Sequence, residues 1–243
     1  MSEVSEARAR FLAGAERAHA LLGEGPAQAR CEAAVATFMT GVRRWSPQSD
    51  DFGWLDELEP FAWEGVGLAA ALEGAFESML ARRPDRSALM FVGLGWSHAL
   101  AGEGGARPDE FAAWQECFDD DPWLLFDGQG YASTLLRRRS RSRAQPDDVA
   151  STWFDQGCGR ALYYLHGGRA SALEWAIRGL GRARAPALWR GIGVASRFTD
   201  GLDESERVAL REHGGEHLLH GERLAQRLRA RLSPRASGDT STP

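Results

Sequence analysis

The segment Phe154-Asp155-Gln156-Gly157-Cys158-Gly159-Arg160-Ala161 carries a Gly-x-Gly-x-Ala pattern that returns along the chain. Further copies are Trp63-Glu64-Gly65-Val66-Gly67-Leu68-Ala69, Phe91-Val92-Gly93-Leu94-Gly95-Trp96-Ser97, Phe126-Asp127-Gly128-Gln129-Gly130-Tyr131-Ala132 and Trp189-Arg190-Gly191-Ile192-Gly193-Val194-Ala195. A degenerate sixth copy, Gly221-Glu222-Arg223-Leu224-Ala225, keeps only the outer pair. First glycines follow one another at 28, 35, 29, 34 and 30 residues, an alternation expected of helix pairs stacked as successive units. Glycine within a helix costs about 1 kcal/mol against alanine, so its fixed recurrence points to close packing or close approach by a ligand. In each copy the first Gly and the small residue four positions later share one helical face, and the preceding aromatic residues read as core anchors.

Working outward, the rest of the chain is also helical in pattern. Val4, Ala7, Phe11, Ala15, Ala18 and Leu22 recur at three or four residues, Gly23 to Pro26 ends that helix, and a second runs from about Ala27 to Trp45. Elsewhere Pro and Gly leave segments of helical length, and alternating β-branched runs are nearly absent. The expected fold is all-α, of stacked helical pairs in a repeat, solenoid-like or toroid-like arrangement. One domain is expected over residues 1–232, with a divergent N-terminal helix in 1–30, and the small, polar residues 233–243 read as a disordered tail.

Composition excludes several classes. The 243 residues carry a net charge of −5 with both signs interspersed, against a nucleic-acid partner. No stretch approaches the roughly 18 apolar residues of a membrane span, and the N-terminus lacks a signal-peptide core, so a cytoplasmic protein is expected. Cys31, Cys117 and Cys158 form no Cys-x-x-Cys pair, which leaves them as reduced thiols. There is no Lys and no Asn, so every fixed side-chain cation is Arg.

Several short motifs have ordinary explanations. No Gly-x-Gly copy has the third glycine and downstream acid of a dinucleotide fingerprint. Ser97, in a context reminiscent of a nucleophile elbow, occupies the small-residue slot of its repeat. His213-Gly214-Gly215-Glu216-His217 has H-x-x-E-H spacing, but two glycines weaken the helix it needs and a third ligand is lacking downstream, so no metal site is assigned. Asp119-Asp120-Asp121 reads as a polar turn before Pro122, and Arg137 to Arg143 as a solvated loop. No cofactor is indicated.

The polar residues inside the repeats are the candidate site, because lone charges on buried segments are costly and need partners. Asp127, Asp155 and Arg160 are the candidate catalytic groups; Glu64, Trp63, Trp96, Gln129, Tyr131, Gln156 and Trp189 are the candidate ligand-binding residues. The alternative is that Asp127 and Asp155 cap helices or pair with Arg160 and Arg190.

Taken in order, Phe38-Met39-Thr40-Gly41, Phe61-Ala62-Trp63-Glu64-Gly65, Val92 to Trp96, Leu125 to Tyr131, Phe154 to Leu162, Leu188 to Gly193 and His220-Gly221 resemble an uncharacterised bacterial family known as enediyne biosynthesis proteins. The resemblance covers about residues 34–230. Phe-Asp-Gln-Gly-x-Gly-Arg-Ala is its specific motif. Members accompany the polyketide synthases that make enediyne warheads, so the resemblance implies an auxiliary protein of enediyne or polyketide-type natural-product biosynthesis, binding or modifying an apolar polyene intermediate. A polyketide synthase or tailoring enzyme is the implied partner. The alternative is a non-enzymatic helical-repeat module for interaction or product binding. The resemblance carries over no catalytic residues.

Overall fold

The computed structural model describes residues 6–19, 22–48, 58–101, 108–137 and 149–232. Among them the protein is all-helical, as expected, with no strand. The helices are α1 (Glu6–His19), α2 (Gln28–Arg44), α3 (Glu59–Leu72), α4 (Phe76–Arg82), α5 (Ser87–Ala101), α6 (Pro108–Phe118), α7 (Leu124–Arg137), α8 (Val149–Leu165), α9 (Ala170–Leu180), α10 (Ala185–Thr199) and α11 (Glu204–Leu232). The expected tail at 233–243 and positions 138–143 of the arginine run lie outside the described residues.

Helices α2, α3, α5, α7, α8, α10 and α11 lie against one another in chain order. At every seam two glycines press on two carbonyls. A Cβ on Gly41 would fall 2.0 Å from the Ala62 oxygen, and one on Gly65 would fall 2.1 Å from that of Phe38. The same pairing joins Gly67 to Met90 and Gly93 to Glu64, Gly95 to Leu125 and Gly128 to Val92, and Gly130 to Phe154 and Gly157 to Asp127. It continues with Gly159 to Leu188 and Gly191 to Gln156, then Gly193 to Leu218 and Gly221 to Arg190. Each glycine meets the carbonyl three positions before its partner glycine, so register advances on one helix as it retreats on the other and neighbours cross in antiparallel sense.

The Gly-x-Gly spacing now has a geometric cause. Two residues turn an α-helix through about 200°, so the two glycines face opposite sides. The first meets the preceding helix and the second the following one. The end helices α2 and α11 have one neighbour in the row and bring one glycine each, Gly41 and Gly221. The degenerate sixth copy is therefore the end of the row, where exposed Arg223 stands in the second glycine's place.

The intervals are filled unevenly. Helices α4, α6 and α9 fill three of them, whereas α10 reaches α11 through the short turn 200–203. The row curls: the Phe61 ring on α3 lies 6.5 Å from that of Tyr164 on α8 and 6.1 Å from that of Phe198 on α10, and Arg30 on α2 donates to the Thr199 carbonyl at 2.7 Å. Helices α3 and α5 are apolar almost all round and buried from Pro60 to Ala70 and from Ser87 to Trp96. Helix C-termini are closed by arginines. Arg8 donates to the carbonyls of Val42, Arg43 and Trp45 at the end of α2, Arg229 to Phe198 on α10, and Arg86 to Leu232 on α11. Each satisfies orphan carbonyls and brings a cation to the negative end of a helix.

The seams predict opposite outcomes for two Gly→Ala substitutions. Gly157→Ala would drive a methyl to 1.8 Å from the Asp127 carbonyl, which must move with its helix; a loss of roughly 3 kcal/mol is expected. Gly179→Ala, on α9 with nothing within 4 Å of the new methyl, should gain about 0.5–1 kcal/mol. Urea denaturation of the two variants beside the parent reads both.

Candidate functional site

Helices α3, α7 and α8 direct four polar side chains into the interior, each next to a seam glycine. Glu64 precedes Gly65, Asp127 precedes Gly128 and Gln156 precedes Gly157, while Arg160 follows Gly159. Because the backbones touch at the glycines, the adjoining side chains have no room in the seam and are carried to its flank. There Arg160 joins them. Its Nη1 donates to Asp127 Oδ1 at 2.6 Å and its Nη2 to Glu64 Oε1 at 2.5 Å, and Gln156 Nε2 donates to Asp127 Oδ2 at 2.7 Å. All four are buried, none above 2 % exposed. The guanidinium carbon lies 4.7 Å from the centre of the Tyr131 ring. That ring packs against Tyr164 at 5.5 Å and Trp96 at 5.1 Å.

The electrostatics follow from this enclosure. Two carboxylates face one guanidinium away from water. Burial pushes the Glu64 carboxyl up to about 7 against the downward pull of Arg160, and Asp127 adds to the rise. Burial also works against the Arg160 charge, but Glu64 and Asp127 outweigh it and hold the guanidinium well above its ordinary range. Burial raises the Tyr131 and Tyr164 hydroxyls as well. Glu64 Oε2, Gln156 Oε1, Arg160 Nε and Trp96 Nε1 are buried without a hydrogen-bond partner in the structure. The cluster can hold or release one proton at Glu64 near neutrality, and it ties α3, α7 and α8 together across the curl.

The candidate residues therefore divide. Glu64, Asp127, Gln156, Arg160, Tyr131 and Trp96 come together. Asp155 does not: five residues from Arg160 on α8, it faces Arg184, whose Nε and Nη2 donate to it at 2.9 and 2.5 Å. Of the pairings considered from sequence, Asp127 with Arg160 is present, and Asp155 takes Arg184 in place of Arg190. Trp63 donates from Nε1 to Glu59 at 2.8 Å and lies under the Arg83 guanidinium at 4.5 Å. Trp189 stacks on His213 with 9° between ring planes. Gln129 is half-buried on α7. Tyr164 and Arg184 were not legible as site residues, since both stand outside the Gly-x-Gly-x-Ala frame.

The short motifs take structural roles. Ser97 Oγ donates to the Leu94 carbonyl of its own helix at 2.7 Å, in α5 and without the strand of an elbow. Gly215 has φ +51°, which kinks α11 between His213 and His217 and breaks the regular turn a shared metal would need. His213 Nδ1 instead lies 3.4 Å from Glu174. Among the described residues no group of three or more His, Cys, Asp or Glu is arranged to hold a metal, and no helix is long and apolar enough to cross a membrane. Asp121 is buried, accepting from Ser87 Oγ at 2.5 Å and from both terminal nitrogens of Arg231 at 2.7 Å, which fastens the end of α11 to the starts of α5 and α7.

The cluster makes two predictions. Arg160→Met, which leaves two facing carboxyls without their cation, should lose about 3–5 kcal/mol, as measured by urea unfolding at pH 7. Glu64 binds its proton more tightly folded than unfolded, so its favourable contribution is full below the ordinary value of 4.5 and is lost as pH rises through about 7. Glu64→Gln should remove that part of the decline, so its stability relative to the parent should improve between pH 5 and pH 8 in parallel unfolding curves.

A family model described as "Protein of unknown function (DUF1702)" matches residues 27–236, from the turn before α2 to just past α11. No curated protein and no solved structure matches the chain. The matched span contains every seam glycine from Gly41 to Gly221 and the whole Glu64–Arg160–Asp127–Gln156 cluster, and the chain belongs to the DUF1702 family.

Proposed function

We propose that the protein is an auxiliary, non-catalytic component of enediyne or polyketide-type natural-product biosynthesis: a helical module that binds an apolar intermediate or product, or a partner synthase or tailoring enzyme. The biosynthetic context rests on the ordered sequence resemblance over about residues 34–230. The non-catalytic role rests on one observation, the enclosure of the candidate acid–base groups. Asp127 and Gln156 are 0 % exposed, and Asp127 has a partner at each carboxylate oxygen. Asp155 is held on both oxygens by Arg184. Groups so engaged inside touching helices serve the fold before they serve a substrate.

A second reading, modification of a polyene by proton transfer, has its own support. The Glu64 carboxyl is pushed up to about 7, and its Oε2 is buried without a partner, while the Arg160 guanidinium that binds its Oε1 lies on the Tyr131 ring. That combination suits a general acid or base.

The two readings part in a producing host whose own copy is deleted. Complementation with Glu64→Gln or Asp155→Asn, each checked for a native circular dichroism spectrum and cooperative melting, should restore product titre to within about twofold of the parent. A fall of 10²-fold or more in a folded Glu64→Gln variant, the scale of a lost general acid, would replace the binding reading with the catalytic one. Deletion without any effect on product would remove the biosynthetic placement itself.

A further inference from the structure

Arg190 is left over from the pairing. The buried carboxylates that it could have neutralised are taken, Asp127 by Arg160 and Asp155 by Arg184. Its backbone is fixed: the Arg190 carbonyl receives Gly221 of α11, and its neighbour Gly191 presses on Gln156 of α8. One face of its guanidinium lies 5.1 Å from the centre of the Trp153 ring. Its Nε and Nη2 are buried and have no hydrogen-bond partner. Together those two nitrogens are the side-on edge of a guanidinium, whose parallel N–H groups match the two oxygens of a carboxylate or phosphate. Arg184 uses the same Nε and Nη2 pair to grip Asp155. In Arg190 the edge is buried, oriented by a stacked ring and unclaimed.

The surroundings are cationic. His220, Arg223 and Arg227 recur at three and four residues along the exposed face of α11, beside the Gly221 contact. Burial, and then the charges of Arg190, Arg227 and Arg223, hold the His220 imidazole below its ordinary value. Burial also lowers Arg190 itself, with Asp127 pulling it partly back. Glu216 approaches Arg223 at 3.3 Å, but both are exposed and neither closes the Arg190 edge. A desolvated guanidinium without a counter-ion is costly to a folded chain, and the cost falls when an anion completes the pair.

We propose that the Nε–Nη2 edge of Arg190 is a binding site for the oxyanion, carboxylate or phosphate, of a small ligand. Trp153 orients the fork, and His220, Arg223 and Arg227 supply the attracting field. Nε and Nη2 are shielded from solvent, so the anion enters by rotation of neighbouring side chains and is then held in a poorly hydrated niche, where a charge-assisted bidentate pair is strong. The proposal is independent of the biosynthetic placement.

The test is isothermal titration calorimetry of the full chain with two probes, inorganic phosphate and sodium laurate, against the parent, Arg190→Gln and Arg190→Lys. The parent should bind at least one probe, and both variants should bind it roughly tenfold more weakly or worse, because Lys keeps the charge and loses the fork. Tighter phosphate binding identifies a phosphate ligand; tighter laurate binding identifies a carboxylate on an apolar chain. Failure of the parent to bind either probe, or parent-like binding by a folded Arg190→Lys, would overturn the site. Should neither variant fold, parent crystals soaked in phosphate decide: an oxyanion on Nε and Nη2 supports the proposal, whereas ordered water on that edge, or an adventitious ion only, refutes it.

Discussion

The structure depends on backbone meeting backbone. At each of six seams a glycine Cα lies under a carbonyl of the next helix, and a carbonyl of its own helix lies over that neighbour's glycine. No side chain intervenes. Contact this close brings Cα–H groups onto carbonyl oxygens, each worth ~0.5–1 kcal/mol, and it maximises dispersion between main chains. It also fixes register, because a slip by one residue would set a side chain against a carbonyl. The cost of glycine within a helix is met twelve times over the six seams, and it is offset by packing that no larger residue permits.

The polar interior follows from that constraint. Helices in backbone contact cannot house large side chains in the seam, so residues beside the glycines project to the flanks, where the curl of the row brings α3, α7 and α8 to one place. Arg160 reaches Glu64, 96 positions away in sequence, and Asp127, 33 away. Its planar fork can serve both carboxyls while lying on the Tyr131 ring, a combination open to guanidinium and closed to an ammonium. The same chemistry serves the periphery. In a chain without lysine, arginines close the C-termini of α2, α10 and α11 and fasten α11 to Asp121. Removing one partner from such a site costs far more than the pair contributed, since the other charge stays desolvated. Arg190 is the instructive contrast, a guanidinium placed like the others with its side-on edge unpaired.

Much of this was legible in the residues. Helical periodicity and the absence of β-branched alternation gave the fold class, because local propensity and pattern are written at 3.6-residue spacing in the chain itself. Recurrence of Gly-x-Gly-x-Ala pointed to close packing, and the polar residues set beside those glycines pointed to a buried cluster. The division of labour between the two glycines was less visible: that Gly157 answers α7 and Gly159 answers α10 depends on which helices flank α8. The loss of the second glycine at Arg223 looked like decay of the repeat and is instead the end of the row.

The residue pattern settles that the chain forms helices, narrows the role of the recurring glycines to close packing or close approach by a ligand, and requires partners for Glu64, Asp127, Gln156 and Arg160 on buried segments. Tertiary structure alone decided which partners. Asp127 and Asp155 stand one and two residues before the first glycine of their repeats, and Asp127 faces the centre while Asp155 turns to Arg184. Pairing of charges across 29 to 96 positions depends on the curl of the helix row, a property of all the seams together. No local stretch of sequence encodes it, because a guanidinium bonds whichever carboxylate the packed backbones bring within reach.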